Sequence, residues 1–233
     1  MQAKPLHRMF TSVPRRYDLV NHVITLGLDT VWRWKAAVEC MVQRPRKVLD
    51  LCCGTGDLAI NISQLAGNEV ILTGLDYSQP MLEIATRKAA NKGRDISFIH
   101  GDVANLPFTD GYFDCIGISF AFRNLTYKNP LMERYLAEIW RVLADGGRFV
   151  IVETSQPKSK LIRRVFHLYL RLFVSNAGSW ISGNKSAYHY LAESASRFFT
   201  PEEVEDILLS AGFSNFSYRP LLLGVAGIYV AVK

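Results

Sequence analysis

The chain is short of several things, and each shortage removes a class of protein. Its 233 residues hold only four cysteines, two of them adjacent at Cys52 and Cys53, with no C-x-x-C pair and no metal-ligand spacing. That excludes a disulfide scaffold or a zinc module and fits free thiols in a reducing cytoplasm. No apolar run approaches the roughly 18 residues of a spanning helix. The basic stretch 1–16 has no apolar segment behind it, so a secretory leader is not expected. Internal repeats and low-complexity tracts are lacking as well. What the chain does have is a hydrophobic share of 49%, enough to fill the core of a sizeable α/β domain. Its formal charge of +6 is compatible with an anionic partner, whether nucleic acid or a membrane surface, and does not choose between them. Lys and Arg are scattered and no RNA-binding module is visible, which disfavours nucleic acid.

Apolar periodicity divides the chain at Pro45. In the segment 1–45, Tyr17, Val20, Val23 and Ile24 recur at helical spacing. Asp29 or Thr30 is in position to cap a second helix carrying Val31, Trp32, Trp34, Val38 and Met41. This segment is expected to be a helical lid, packed on the main domain. From residue 46 to 233, strand and helix patterns alternate, which predicts βαβ units and a parallel sheet. Strands are expected at 47–51, 70–75, 96–99, 113–119 and 148–153, with helices at 57–65, after Ser78, and at 131–143. Beyond Pro157 the alternation breaks. The stretch 160–173 has Leu161, Val165, Leu168 and Leu172 on one side and basic residues elsewhere. A polar insertion with Trp180, Tyr188 and Tyr190 fills 175–197, so the helical, substrate-side region spans about 158–197. Thr200-Pro201-Glu202-Glu203 opens a helix that Gly212 stops. Two last strands, 213–219 and 224–232, bring the expected sheet to seven.

The turn after the first strand is the most informative stretch. Asp50-Leu51-Cys52-Cys53-Gly54-Thr55-Gly56-Asp57 runs from an apolar strand through small residues into a helix. A dinucleotide fingerprint needs G-x-G-x-x-G, and this register reads Cys52-x-Gly54-x-x-Asp57. An acid stands where a pyrophosphate would require a helix N-terminus free of negative charge. The Gly-Lys-Ser/Thr ending of a Walker loop is missing too. The acid-x-small-x-Gly-x-Gly form resembles the first motif of class I S-adenosylmethionine-dependent methyltransferases. Their cofactor carries a sulfonium and an ammonium and no phosphate. Further acceptors stand at successive strand ends, where open α/β sheets bind ligands. Asp76 suits ribose hydroxyls, Asp102 and the Val103 amide suit an adenine edge, and Ser119 lies beside the reacting methyl.

A closer resemblance covers nearly the whole chain. Tyr17-Asp18-Leu19-Val20-Asn21, Leu26-Gly27-Leu28-Asp29, Trp32-Arg33, Leu75-Asp76-Tyr77-Ser78, Gly101-Asp102-Val103-Ala104 and Phe122-Arg123-Asn124 resemble the UbiE-type family. These are the menaquinone and ubiquinone biosynthesis C-methyltransferases. The pattern continues through Arg141-Val142-Leu143, Gly146-Gly147-Arg148-Phe149, Glu153 and Tyr188-x-Tyr190-Leu191. It departs at Phe198-Phe199-Thr200, where the family usually has Phe-Pro. The resemblance implies a doubly wound, mostly parallel, Rossmann-like sheet with N-terminal helices and a helical insertion after strand five. It implies S-adenosyl-L-methionine as cofactor, held by Asp50, Gly54, Thr55, Gly56, Asp76, Tyr77, Asp102, Val103 and Ser119. The implied reaction is methyl transfer to a ring carbon of a prenylated quinol. Demethylmenaquinol comes first, with a ubiquinone-pathway benzoquinol or another phenolic small molecule as alternatives.

Arg123 is expected to orient a water or stabilise quinolate charge, Asn124 to hydrogen-bond a quinol oxygen, and Asp57 to hold Arg123 or the cofactor's ammonium. Arginine keeps its proton, so it is not assigned as the base. A bilayer substrate implies a cytoplasmic protein touching the inner face of the membrane. The 160–173 helix is then either interfacial or packed over the site. A homodimer stays open.

Overall fold

A computed structural model describes residues 22–23, 25–67, 69–174 and 193–233. The expected motifs at Tyr17–Asn21, Ile24 and the insertion aromatics Trp180, Tyr188 and Tyr190 lie outside the described residues. Helix α1 (Leu28–Cys40) precedes the sheet. Then follow β1 (Lys47–Leu51), α2 (Asp57–Ala66), β2 (Ile71–Asp76), α3 (Gln79–Asn91), β3 (Ser97–His100) and β4 (Phe113–Ser119). Next come α4 (Phe122–Thr126), α5 (Met132–Val142), β5 (Leu143–Thr154), α6 (Lys160–Tyr169), α7 (Pro201–Ser210), β6 (Ser214–Leu221) and β7 (Ala226–Val232).

The seven strands form one sheet in the order β3-β2-β1-β4-β5-β7-β6. The first five are parallel, and β7 runs antiparallel to both β5 and β6. The order reverses between β1 and β4, so a crevice opens there at the strand carboxyl ends. Period-two patterning explains why the sheet is covered on both faces. In β5, Phe149 and Ile151 join the core with α5, α7 and Phe122, while Val150 and Val152 join the core with α1 and α2. β1 divides likewise, with Leu49 and Leu51 on one face and Val48 on the other.

Local chemistry decided several boundaries. The helix expected to open at Thr200 does so with a capping box, Thr200 Oγ1 accepting from the Glu203 amide and Glu203 from the Thr200 amide. Two caps differ from expectation. α1 opens at Leu28 behind left-handed Gly27, so Asp29 lies in the first turn and is free to face Arg33. Ser78 holds the N-cap position of α3, but its hydroxyl makes no capping bond. The 160–173 pattern ends as a helix at Tyr169 and continues as one wider π turn, Leu170–Val174.

Candidate active site

The carboxyl ends of β1, β2 and β3 assemble carboxylates. Asp50 is 1% exposed. Its Oδ2 accepts the Ala59 amide of α2 at 2.9 Å, and its Oδ1 has no partner. Burial pushes its carboxyl up to about 8, and the charges of Asp76 and Asp57 add to that. Asp76 ends β2 and takes the Gly54 amide on Oδ2 and the Ser78 amide on Oδ1, both at 2.8 Å. Burial raises it as well, with those amides opposing. Each Asp76 oxygen still has a second lone pair for a ligand hydroxyl. Asp102 follows β3, is exposed, and accepts the Ala104 amide at 2.9 Å, opening a short turn that buries Val103. Asp50, Asp76 and Asp102 all lie close enough to Cys52 to help burial push its thiol up. Neither Cys52 nor the similarly raised Cys53 is a nucleophile here.

The two turn glycines differ in what surrounds them. A Cβ on Gly56 (φ +81) would sit 3.0 Å from Ala85 Cβ, so this glycine lets α2 and α3 approach. A Cβ on Gly54 (φ +54) would meet nothing within 4 Å. The open side of the loop is therefore at Gly54, in the turn that follows Asp50 and its unpartnered buried oxygen. Such a site suits a ligand that carries positive charge. Thr55 is buried, and its hydroxyl accepts from Lys88 at 3.2 Å. Asp57 pairs with Lys88. The expected Asp57–Arg123 contact is thus not formed, because Lys88 of α3 lies nearer. Tyr77 is half exposed beside the His100 ring, with centroids 5.7 Å apart.

The ends of β4 and β5 are built from ion pairs instead. Arg123 and Glu153 are both buried, and Nη1 of Arg123 donates to Glu153 Oε1 at 2.9 Å and to Thr154 Oγ1 at 3.0 Å. Glu153 also accepts the Arg123 amide on Oε2 and the Thr154 amide on Oε1. Nε of Arg123 is buried without a partner. Asn124 follows in α4, half buried. At Ser119, Oγ accepts from Nε of Arg33 at 3.2 Å. Arg33 pairs with buried Asp29, whose carboxyl this guanidinium holds below its ordinary value against the opposing effect of burial.

Arg33, Lys88 and Glu153 had not been assigned to the site from the sequence. Glu153 carried a signal, since an acid closing an all-buried strand must find a cation. Lys88 and Arg33 gave none, because only tertiary packing brings residues 31 and 86 positions apart together.

A family model described as the ubiE/COQ5 methyltransferase family matches residues 1–233. The chain belongs to that family. It is 40% identical over 232 residues to a demethylmenaquinone methyltransferase of Deinococcus radiodurans, covering 100% of this chain and 94% of that one. A Thermus thermophilus relative of the same name is 41% identical over 223 residues, covering 95% and 98%. Among solved structures, a SAM-dependent methyltransferase from Thermotoga maritima, titled a possible histamine N-methyltransferase, aligns at TM-score 0.66 and 20% identity, over 97% and 98%. The [4+2]-cyclase SpnF aligns at 0.64 and 17%, over 89% and 81%. At such identities the likeness establishes the fold alone, and a fold hosts many chemistries.

Proposed function

We propose that the protein transfers a methyl group from S-adenosylmethionine to the ring carbon of demethylmenaquinol. The observation that carries this is the full-length similarity to proteins named demethylmenaquinone methyltransferase, at 34–41% identity. The donor, when bound, supplies a methyl carbon made electrophilic by its sulfonium. Gly54, Thr55 and Gly56 form the loop against which it lies. Asp76 receives the ribose hydroxyls, Asp102, Val103 and Tyr77 flank the base, and Asp50 meets the cationic end. Asp57, fixed by Lys88, and Ser119, fixed by Arg33, border the same space. The unpartnered Asp50 oxygen and the open side of Gly54 support this assignment.

On the acceptor side, loss of the proton from a ring hydroxyl raises electron density at the neighbouring carbon. The free Nε–H of Arg123 is a buried donor suited to that developing charge, and Glu153 fixes the guanidinium so that it need not reorganise. Asn124 hydrogen-bonds a quinol oxygen and helps align the attacking carbon. The 1–45 segment acts as the lid, which the Arg33–Ser119 bond supports. Among the described residues no helix is long and apolar enough to cross a membrane. With a lipid-borne acceptor, the protein works peripherally at the inner face of the membrane.

The test supplies radiolabelled S-adenosylmethionine with demethylmenaquinol, with a demethylated benzoquinol and with a simple phenol in parallel. Label entering the naphthoquinol fraction fastest is the expected outcome. Label going preferentially to either comparator overturns the acceptor assignment.

A further inference from the structure

We propose that the protein docks on an anionic lipid bilayer through an apolar ridge on the rim of the site, formed by the β6–β7 turn and the outer face of α6. This deepens the quinol reading and rests on it for its purpose. Among the described residues, the three most exposed large apolar side chains are Leu26 at 74%, Leu223 at 73% and Leu161 at 71%. All three lie at the carboxyl edge of the parallel strands. Leu223 belongs to the turn between β6 and β7, whose flanking residues Leu221 and Ala226 pair beside Thr154, the last residue of β5. Leu161 is in the first turn of α6, the helix after β5. Leu26 precedes α1, whose Arg33 reaches Ser119 and whose last residue, Cys40, lies beside Gly117, so its axis runs from this edge inward.

The turn itself is unusual chemistry. Leu222 (φ 41) and Leu223 (φ 56) are both left-handed, and so is Leu26 (φ 54). Glycine or asparagine takes such positions readily, whereas an L side chain with a full Cβ does not. Exposed leucines there gain nothing in water, from burial or from backbone preference. They gain where an apolar phase receives them.

Among the described residues, α6 buries a narrow face and leaves its longer apolar face exposed. Phe166 and Leu170 are buried with Ala195 and packed by Val225 of the β6–β7 turn. That contact joins helix and turn into one unit. On the other side Leu161, Val165, Leu168 and Leu172 recur at helical spacing and remain 71%, 60%, 56% and 57% exposed. The stretch 158–172 carries five cations and no acid; Lys158 pairs with Glu202 of α7 at 3.2 Å, and the charge left to this face comes from Lys160, Arg163, Arg164 and Arg171. A second copy docked two-fold on this face would set those cations against themselves. An anionic bilayer satisfies the apolar ridge and the charge together.

The experiment is co-sedimentation of the full chain with phosphatidylcholine vesicles, with and without phosphatidylglycerol. It compares wild type, Leu222→Asn/Leu223→Asn, Leu161→Gln/Leu168→Gln, and Ile71→Thr, an exposed residue at the opposite edge. Asparagine tolerates left-handed backbone, so the turn variant keeps its thermal midpoint, which is measured alongside. Wild type and Ile71→Thr should bind phosphatidylglycerol vesicles in a salt-sensitive way, and both double variants should partition at least about tenfold more weakly. Wild type failing to bind, or the double variants binding like wild type, overturns the proposal. So does a wild-type dimer that the variants dissolve without any vesicle binding. Methylation of a short-tailed, water-soluble demethylmenaquinol reports separately on the acceptor. It should run at wild-type rate in the double variants. If wild type does not methylate it, the quinol reading fails while the vesicle data still decide the docking surface.

Discussion

The two halves of the crevice solve opposite electrostatic problems. On the β1–β3 side, Asp50 is buried and Asp76 partly buried; both are hydrogen-bonded by backbone amides and pushed upward in pKa. On the β4–β5 side, each buried acid already has its cation, Glu153 with Arg123 and Asp29 with Arg33. The first half is electrostatically incomplete and gains from a positively charged ligand. The second is complete before anything binds, so its groups hold their geometry without reorganising. The contrast supports the proposal that the cofactor's cationic end meets the first half and the acceptor the second.

The largest expected effect comes from breaking the completed half. Glu153→Ala leaves the Arg123 charge buried and unpaired, and should lower unfolding free energy by about 3–5 kcal/mol, read by urea denaturation. Asp50→Asn is the counterpart in the incomplete half. It keeps an oxygen for the Ala59 amide, and because the Asp50 carboxyl is raised to about 8 it removes little charge near neutral pH, so it should cost far less than Glu153→Ala. Equal losses for the two variants would erase the distinction between the halves.

A smaller effect sharpens the same contrast through pH. Asp50 rises from an ordinary 3.8 to about 8 in the fold. The folded state therefore holds this proton more tightly than the unfolded chain does. The Asp50 contribution to cofactor-free stability is greatest below pH about 3.8, falls as pH climbs to about 8, and is level above. The difference between wild type and Asp50→Asn, measured as unfolding free energy against pH, should follow that slope. A flat difference would mean that Asp50 is ionised throughout.

The two halves were not equally legible in the sequence. Acids at strand ends and glycines in a tight turn are local signals, so spacing drew attention to Gly54, Gly56, Asp76 and Asp102, the motif that the turn resembles added Asp50 and the cofactor, and the strand alternation predicted the sheet. The paired half was only half visible. Arg123 and Asn124 came from a resemblance, and the partner that fixes Arg123 lies thirty residues on, on a different strand. Of the two partners expected for Asp57, the Arg123 contact is not formed, and nothing local shows that α3 brings Lys88 beside it. α6 was the hardest case. Its apolar stripe has the same period whether it faces a core or a bilayer, and only packing shows that Phe166 and Leu170, not the stripe, are buried.

The division of labour is tested most directly by measuring, on Asp76→Asn and Asn124→Ala side by side, S-adenosylmethionine affinity and the single-turnover rate of methyl transfer to demethylmenaquinol. Asp76→Asn should weaken cofactor binding by roughly 10–100-fold, as expected for loss of a partly buried charged acceptor, with transfer recovering at saturating cofactor. Asn124→Ala should bind cofactor like wild type and transfer roughly 10–100-fold more slowly at saturation. Loss of cofactor affinity in Asn124→Ala, or unchanged affinity in Asp76→Asn, would contradict the assignment of the two halves.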